Sequence, residues 1–288
     1  MLEIAQEKLK KILPIDGPSI DEVKRYLEKY NDEYIVIKCG GSVLVDQNLF
    51  NIFISDIAIL NKLGFIPIIV HGGGKRINNK LDKLGIKSNF IKGLRVTDKD
   101  TIEVIEQVLI EFNKEIIEGL KKFTCNSQTI NSKENNIITV VQESDELGYV
   151  GAPTTINTKI INKIVDEKKV PVIAPLGLDN NNQTFNINAD TAAGFIAKKI
   201  EARRLIIMSD VEGVLDDNKK LIPEINSKSI KDLINSETVT GGMIPKINNC
   251  LDVASNGVKG VVIIDGRKNH SILFELLSDK GSGTLIRQ

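Results

Sequence analysis

Two apolar runs that each end in glycines set the terms on which this chain can fold. Tyr34-Ile35-Val36-Ile37 leads into Lys38-Cys39-Gly40-Gly41-Ser42, and Phe65-Ile66-Pro67-Ile68-Ile69-Val70 leads into His71-Gly72-Gly73-Gly74. Each turn is followed by helical spacing, as with Leu49, Phe53, Ile57 and Leu60 after the first. Buried strands that alternate with helices predict a mostly parallel sheet. The glycines add a chemical constraint. Bare backbone at a strand end lets several N–H groups approach one point, and the helix that follows brings partial positive charge to it. Two such turns suggest a phosphate passed between two sites.

The 288 residues allow one large α/β domain or two lobes. Residues 1–13 place Leu2, Ala5, Leu9, Ile12 and Leu13 on one helical face, and Pro14, Gly17 and Pro18 end that helix. A second helix starts at Ser19, with Glu22 completing a capping box and Ile20, Val23, Leu27 and Tyr30 as its apolar stripe. These helices precede the first strand, so they are an addition to the α/β core. Their stripes need cover, either from their own domain or from another subunit. Further helices are predicted over about 46–62, 75–84, 98–120, 158–168, 189–200, 227–235, 245–256 and 270–277. Strands are predicted at 34–38, 65–70, 88–95, 205–210, 260–264 and 284–286 and across 137–157, with a hairpin centred on Leu147-Gly148-Tyr149-Val150-Gly151, and 170–175 is a short apolar run. The Asn-rich stretch 124–136 reads as a loop, and 213–224 as a loop or hairpin. The expectation is one open sheet with two lobes and a ligand cleft over the strand C-termini.

Several function classes fall away. Lys+Arg and Asp+Glu are both 38, so no basic field predicts a nucleic-acid partner. No stretch reaches the roughly 20 apolar residues of a membrane span. Glu3, Glu7 and Lys8 interrupt any secretory h-region. Cys39, Cys125 and Cys250 are odd in number and widely spaced, which predicts reduced thiols, no metal cluster and a cytoplasmic setting. The G-x-x-x-x-G-K-[ST] pattern is absent, which argues against a P-loop enzyme.

The remaining candidates are charged residues at strand ends and helix starts. Lys38 ends an apolar strand, where a lysine must reach a cleft or pair with an acid. Lys246 lies in the first turn of a helix preceded by Gly241-Gly242, an unfavourable place for a cation unless an anion binds there. Asp190 follows Asn186 and Asn188 at a strand-to-helix junction; it either caps the helix or holds two lysines around a phosphate. Arg95 ends a strand after Gly93 and suits a carboxylate or a surface ion pair. Several cations and N–H donors, with no evident general base, fit phosphoryl transfer. An acceptor carboxylate, already ionised at pH 7, would need no base. His71 would then contribute backbone only.

As a set, these motifs are similar to those of the amino acid kinase family, from about Tyr34 to the C-terminus. The stretches that carry the resemblance are Ile37–Ser42, His71–Gly74, Gly93–Asp98, Leu147–Gly151, Asn186–Asp190, Ser209–Val214 and Gly242–Lys246. Within that family the chain most resembles the branch that acts on N-acetyl-L-glutamate in arginine biosynthesis. The resemblance implies a three-layer α/β/α domain over 33–288 with a helical extension at 1–32. Its lobes would be 33–178, for substrate binding and dimerisation, and 179–288, for nucleotide. It implies phosphorylation of the γ-carboxylate of N-acetyl-L-glutamate by ATP, with Mg²⁺ carried on the nucleotide. Lys38 and Lys246 would then neutralise the transferring group and Asp190 would orient them. Gly40, Gly41 and Gly72 would cradle phosphoryl oxygens. Gly73, Gly74, Arg95 and Asn186 would hold the substrate, and Ser209, Asp210, Gly242 and Met243 the nucleotide.

Arginine-inhibited members are similar in having an N-terminal helix that joins dimers into a hexamer. On that likeness Lys220, His270, Gly281 and Gly283 are candidate arginine-effector residues, and residues 1–13 a subunit contact. The chain departs from the pattern at Lys280, where such enzymes usually carry an acid, and at Lys75-Arg76, in place of a Pro-containing pair. It also carries an extra capped helix within 14–30. Two other readings stay open. One is a related kinase that acts on α-aminoadipate or glutamate borne on an acidic carrier protein, which a basic rim would favour. Lys75, Arg76, Lys80 and Lys83 supply basic residues, though a solvated helix face explains them more simply. The other is a non-catalytic amino-acid-binding subunit, against which Lys38, Asp190 and Lys246 stand.

Overall fold

The computed structural model describes residues 6–226, 228–236, 238–239 and 243–288. Helices α1 (Gln6–Ile12) and α2 (Ile20–Tyr30) lead to β1 (Tyr34–Cys39), α3 (Gln47–Lys62), β2 (Ile66–His71) and α4 (Gly74–Lys83). Short strands β3 (Phe90–Ile91) and β4 (Leu94–Arg95) precede α5 (Lys99–Lys122), β5 (Ser127–Ile130), β6 (Ile138–Gln142), β7 (Gly151–Ile156), α6 (Thr158–Asp166) and β8 (Val170–Ile173). The second half runs β9 (Leu176–Leu178), β10 (Thr184–Asn186), α7 (Ala189–Lys199), β11 (Arg204–Ser209) and β12 (Glu224–Asn226). It ends with α8 (Ser229–Asn235), α9 (Met243–Ser255), β13 (Val261–Asp265), α10 (Ser271–Leu277) and β14 (Gly283–Arg287).

The main sheet has the order β12-β14-β13-β11-β1-β2-β8-β5. Its neighbours are parallel except β13 and β14. Both faces are buried, which is why β1 and β2 read as continuous apolar runs. Ile35, Ile37 and Cys39 pack with Phe53, Phe112 and Leu273, from α3, α5 and α10. Val36 points the other way and packs with Ala193, Ile196 and Val253, from α7 and α9. The period-2 alternation of one strand thus feeds two helical layers, and the expected α/β/α arrangement is present. From β1 the sheet continues to β2 on one side and β11 on the other. That switch point opens a crevice beyond the C-terminal ends of these three strands.

Strands β9, β10 and β12 are not among those expected, and two further segments differ from expectation. Residues 88–95 form the hairpin β3–β4 instead of one strand, because Lys92 and Gly93 take φ of 49° and 83°, the paired positive values of a tight hairpin turn. Ser127–Ile130, inside the expected loop 124–136, pairs in parallel with β8 as the sheet's edge strand. A polar strand at a sheet edge lacks the apolar signal of a central one. A second sheet, β10-β9-β6-β7, borders the crevice.

The capping box at α2 forms in full, with Glu22 N donating to Ser19 Oγ and Ser19 N to Glu22 Oε2. Leu9, Val23, Leu27 and Tyr30 bury in the same cluster as α3 and α10. Arg25 and Tyr26 both reach Asp279, just past α10. The stripe of α2 is therefore covered by its own chain.

Candidate active site

The first glycine turn carries a lysine whose direction is set by the strand. Lys38 shares the face of Val36 and so points toward α7. Asn188 caps α7, accepting from the N–H groups of Asp190 (2.9 Å) and Thr191 (3.1 Å), which places Asp190 in the first turn. The α9 helix lies against α7, and a Cβ at Gly194 would come within 2.7 Å of Val253. Close helix packing brings Lys246 Nζ to 2.6 Å from Asp190 Oδ2. Lys38 Nζ stands 3.0 Å from Oδ1, but out of line for a hydrogen bond, so that buried oxygen has only an ionic partner. Burial pushes the Asp190 carboxyl up, yet Lys38 and then Lys246 outweigh it and hold the group far below the usual carboxylate range.

Two ammonium groups thus share one carboxylate in a largely buried place, leaving net positive charge. Such an excess is costly unless an anion completes it. A cavity of about 390 Å³ adjoins this cluster, lined by Lys38, Gly40, Gly41, Gly72, Gly73 and Gly74 on one side and by Arg95 and Asn186 on another. The glycines have separable reasons. A side chain at Gly40 would run into the Lys38 amine, and Gly41 (φ 65°) is pressed against the Asp210 carboxylate. Gly73 is hemmed in by Leu109 and Ile77, whereas a Cβ at Gly74 would meet no protein atom. Gly74 opens α4 beside the cavity, so protein packing gives no reason for a glycine there and a ligand approaching the backbone does.

His71 anchors the second turn from below. Asn113 Nδ2 donates to His71 Nε2 (3.2 Å) and to Val172 O (2.9 Å). That assigns the proton to His71 Nδ1, which donates to Gly72 O (3.1 Å). Thr129 Oγ1 in turn donates to Asn113 Oδ1. Burial pushes the His71 pKa down to about 4, so the ring is neutral near pH 7 and its part is positional. Arg95 is buried and pinned by Asn78 Oδ1 (2.6 Å) and Ser88 Oγ (2.5 Å), with its guanidinium over the Phe90 ring. Asn186 is aligned with the 147–151 turn through its N–H to Tyr149 O, 2.9 Å.

Ser209 ends β11, and Asp210 beyond it accepts from Ser42 N (2.7 Å) and Lys75 Nζ (2.8 Å). Met243 begins α9, and Gly242 lies outside the described residues. Arg76 does not belong to a solvated face as expected, whereas Lys75 and Lys83 are exposed and Lys80 is half-buried. Arg76 donates to Leu44 O (2.5 Å) and Glu115 (2.7 Å) and stacks 4.1 Å above Phe112. Asn113 and Thr129 beneath His71, and Asn78 and Ser88 beside Arg95, carry no local pattern that marks them in the sequence as supports of the site.

The candidate effector residues occupy a separate region around α10. His270 has φ 55° and its Nδ1 lies 2.6 Å from Asp56 Oδ1, with Asp16 3.3 Å from the other nitrogen. Burial raises the Asp56 pKa to about 6, while the hydrogen bond that His270 donates to Asp56 raises that of His270. Gly281 lies beside Glu275, which accepts from Ser282 N at 2.8 Å. Gly283 has a structural reason of its own, since a side chain there would strike the Ile263 carbonyl of β13. Lys220 is exposed in the 215–221 hairpin, where its N–H donates to Asp216 Oδ1 (2.8 Å) and its carbonyl accepts from Asp216 N (2.8 Å).

The profile of the Amino acid kinase family matches residues 33–265. The acetylglutamate kinase of Pelagibacter ubique (strain HTCC1062) is 70% identical over 288 residues, covering 100% of both chains. That of Campylobacter fetus subsp. fetus (strain 82-40) is 44% identical, over 91% of this chain and 94% of the relative. Among solved structures, the N-acetylglutamate synthase of Neisseria gonorrhoeae, complexed with coenzyme A and N-acetyl-glutamate, superposes with a TM-score of 0.85 at 21% identity. That likeness, which concerns the fold, covers 94% of this chain and 64% of the synthase.

Proposed function

The chain belongs to the amino acid kinase family, and from that premise we propose that it transfers the γ-phosphoryl group of ATP to the γ-carboxylate of N-acetyl-L-glutamate, a step of arginine biosynthesis. The single observation that carries the chemistry is the Lys38–Asp190–Lys246 bridge facing the glycine-lined cavity. The acceptor carboxylate is ionised at neutral pH and attacks without a base, consistent with a neutral, buried His71. Charge builds on the transferring group and on the leaving side; Lys38 meets the first and Lys246 the second, while Asp190 keeps both amines aimed. N–H groups of Gly40, Gly41 and Gly73 would receive phosphoryl oxygens; the Gly72 N–H, expected to join them, already donates to Cys39 O at 2.8 Å. Among the described residues no group of three or more His, Cys, Asp or Glu side chains converges on a metal position. Mg²⁺ would be carried on the nucleotide phosphates, supplying further charge neutralisation.

Arg95 and Asn186 hold the amino-acid end of the acceptor, with Gly73 and Gly74 beneath it. A guanidinium already fixed by Asn78 and Ser88 offers a rigid fork to a carboxylate. Arg95→Lys should raise KM for N-acetyl-L-glutamate by about tenfold and change kcat much less, since a lysine cannot make the bidentate contact. Ser209, Asp210, Gly242 and Met243 border the nucleotide.

The function is tested with purified protein, ATP, Mg²⁺ and free N-acetyl-L-glutamate in a coupled assay for ADP. Turnover is expected. No turnover with the free acceptor, together with turnover on a carrier-borne glutamate or aminoadipate, would replace this reading. Of the four basic residues that could form a rim for such a carrier, Arg76 is engaged with Glu115 and the Phe112 ring, while Lys75 and Lys83 are exposed and Lys80 is half-buried.

Regulation and assembly belong to the same proposal. Arginine would bind around His270, Gly281 and Gly283, with Lys220 at its margin, and residues 1–13 would join dimers into a hexamer. The three cysteines, all buried and unpaired, suit a cytoplasmic enzyme, and no helix among the described residues is long and apolar enough to cross a membrane. Removal of residues 1–13 should convert a hexamer into dimers by mass in solution; an unchanged hexamer would remove the N-terminal helix from the assembly.

A further inference from the structure

We propose that Lys75 is a third cation for the nucleotide polyphosphate, held on Asp210 and Ser42 and drawn onto the phosphates as the nucleotide enters. The proposal rests on the ATP-binding reading above. Lys75 lies in the first turn of α4 and lines the same cavity as Lys38 and the two glycine turns. Its Nζ is 2.8 Å from Asp210 Oδ2 and 3.0 Å from Ser42 Oγ. Ser42 N donates to the other oxygen of the same carboxylate at 2.7 Å. The amine therefore spans the mouth of the crevice, from the helix after β2 to the end of β11, directly beside the first glycine turn.

Charge gives the reason for a transfer. Lys38, Lys246 and Asp190 sum to one positive charge, while the terminal phosphates of a nucleotide and an acceptor carboxylate bring several negative ones. Lys75 and Asp210 cancel each other, and their side chains are 45% and 36% exposed. An ion pair so open to water contributes little and parts easily, whereas an amine on a phosphate makes a stronger, charge-assisted bond. The helix N-terminus works in the same direction, because it disfavours a lone ammonium and favours the phosphate that would accompany it. Arg76 makes the contrast. Its guanidinium is fixed by Leu44 O, Glu115 and the Phe112 ring, so it braces the α4 start while Lys75 stays free to move.

Calorimetric titration of the full chain with Mg-ATP and with AMP tests this without any acceptor. Lys75→Met should weaken ATP binding about tenfold and leave AMP within about twofold; Lys75→Arg should restore most of the loss. Raising NaCl from about 50 to 200 mM should weaken ATP binding more in the wild type than in Lys75→Met, because one phosphate-facing charge is gone. In turnover the loss should fall on KM for ATP. Equal ATP affinity in wild type and Lys75→Met, or an AMP loss as large as the ATP loss, would overturn the proposal, the latter by reducing Lys75 to a brace of the pocket. A wild-type chain that bound no ATP would instead overturn the kinase reading on which it rests.

Discussion

Lys38→Met should lower kcat by about 10²–10³-fold while ATP still binds. Methionine keeps most of the length and burial of the lysine stem, so the strand end remains filled and the fold is spared. What disappears is the one ammonium at the end of β1, 3.0 Å from Asp190 and beside Gly40, where a Cβ would displace the amine. If that charge meets the transferring group chiefly in the transition state, its loss appears in kcat more than in substrate affinity. Steady-state kinetics with both substrates, paired with an ATP titration, separates the two. A kcat within tenfold of wild type would remove Lys38 from the chemistry and leave it a structural partner of Asp190.

The parts of this site that sequence made visible share a property. Lys38, Lys246 and the glycines break a local rule: a charge ending an apolar strand, a cation opening a helix, three glycines where a turn needs fewer. Each violation is readable because the rule it breaks is short-range. The mostly parallel sheet was readable for a related reason, since strands buried on both faces carry long apolar runs; the three-layer arrangement came with the family resemblance. The edge strand β5 was not, because Ser127, Gln128 and Thr129 are polar and their pairing with β8 is a tertiary fact. The β3–β4 turn turned on Lys92, a residue that rarely takes positive φ and gives no signal of doing so.

The residues that support the site were hidden by the same logic. Asn113 sits 42 positions from His71 and 16 from Thr129, yet it joins them beneath the second glycine turn. In the sequence it is an ordinary polar residue on a long helix. In the fold it is fully buried, and its amide has three partners, which fixes the His71 tautomer and through it the Gly72 carbonyl. Side chains of this kind determine where a phosphate-binding backbone points, and only the assembled layers reveal them. The Lys75–Asp210 contact, 135 positions apart, is of the same kind.

Asp190→Asn should be as damaging to turnover as the loss of Lys38, by about 10³-fold, although Asp190 touches neither reacting atom in the proposed mechanism. The amide is nearly isosteric, but it cannot neutralise two ammonium groups, and its NH₂ would face one of them. Lys38 and Lys246 would repel and turn away from the transferring group. Because one carboxylate serves both lysines, Lys38→Met combined with Asp190→Asn should cost little more than either alone; losses that multiplied would show the residues acting independently. Stability carries a second signature. Removing one member of a buried ionic cluster costs about 3–5 kcal/mol, with the lower end expected here since both lysines retain some access to water. The folded-state pKa of Asp190 is depressed below its unfolded value of about 4, so its contribution is fully present above that value and fades as pH falls toward the folded one. Urea unfolding should therefore show a wide gap between wild type and Asp190→Asn at pH 7 that is unchanged at pH 5 and narrows below pH 4. A gap that closed between pH 7 and 5 would assign the stabilisation to some group other than this carboxylate.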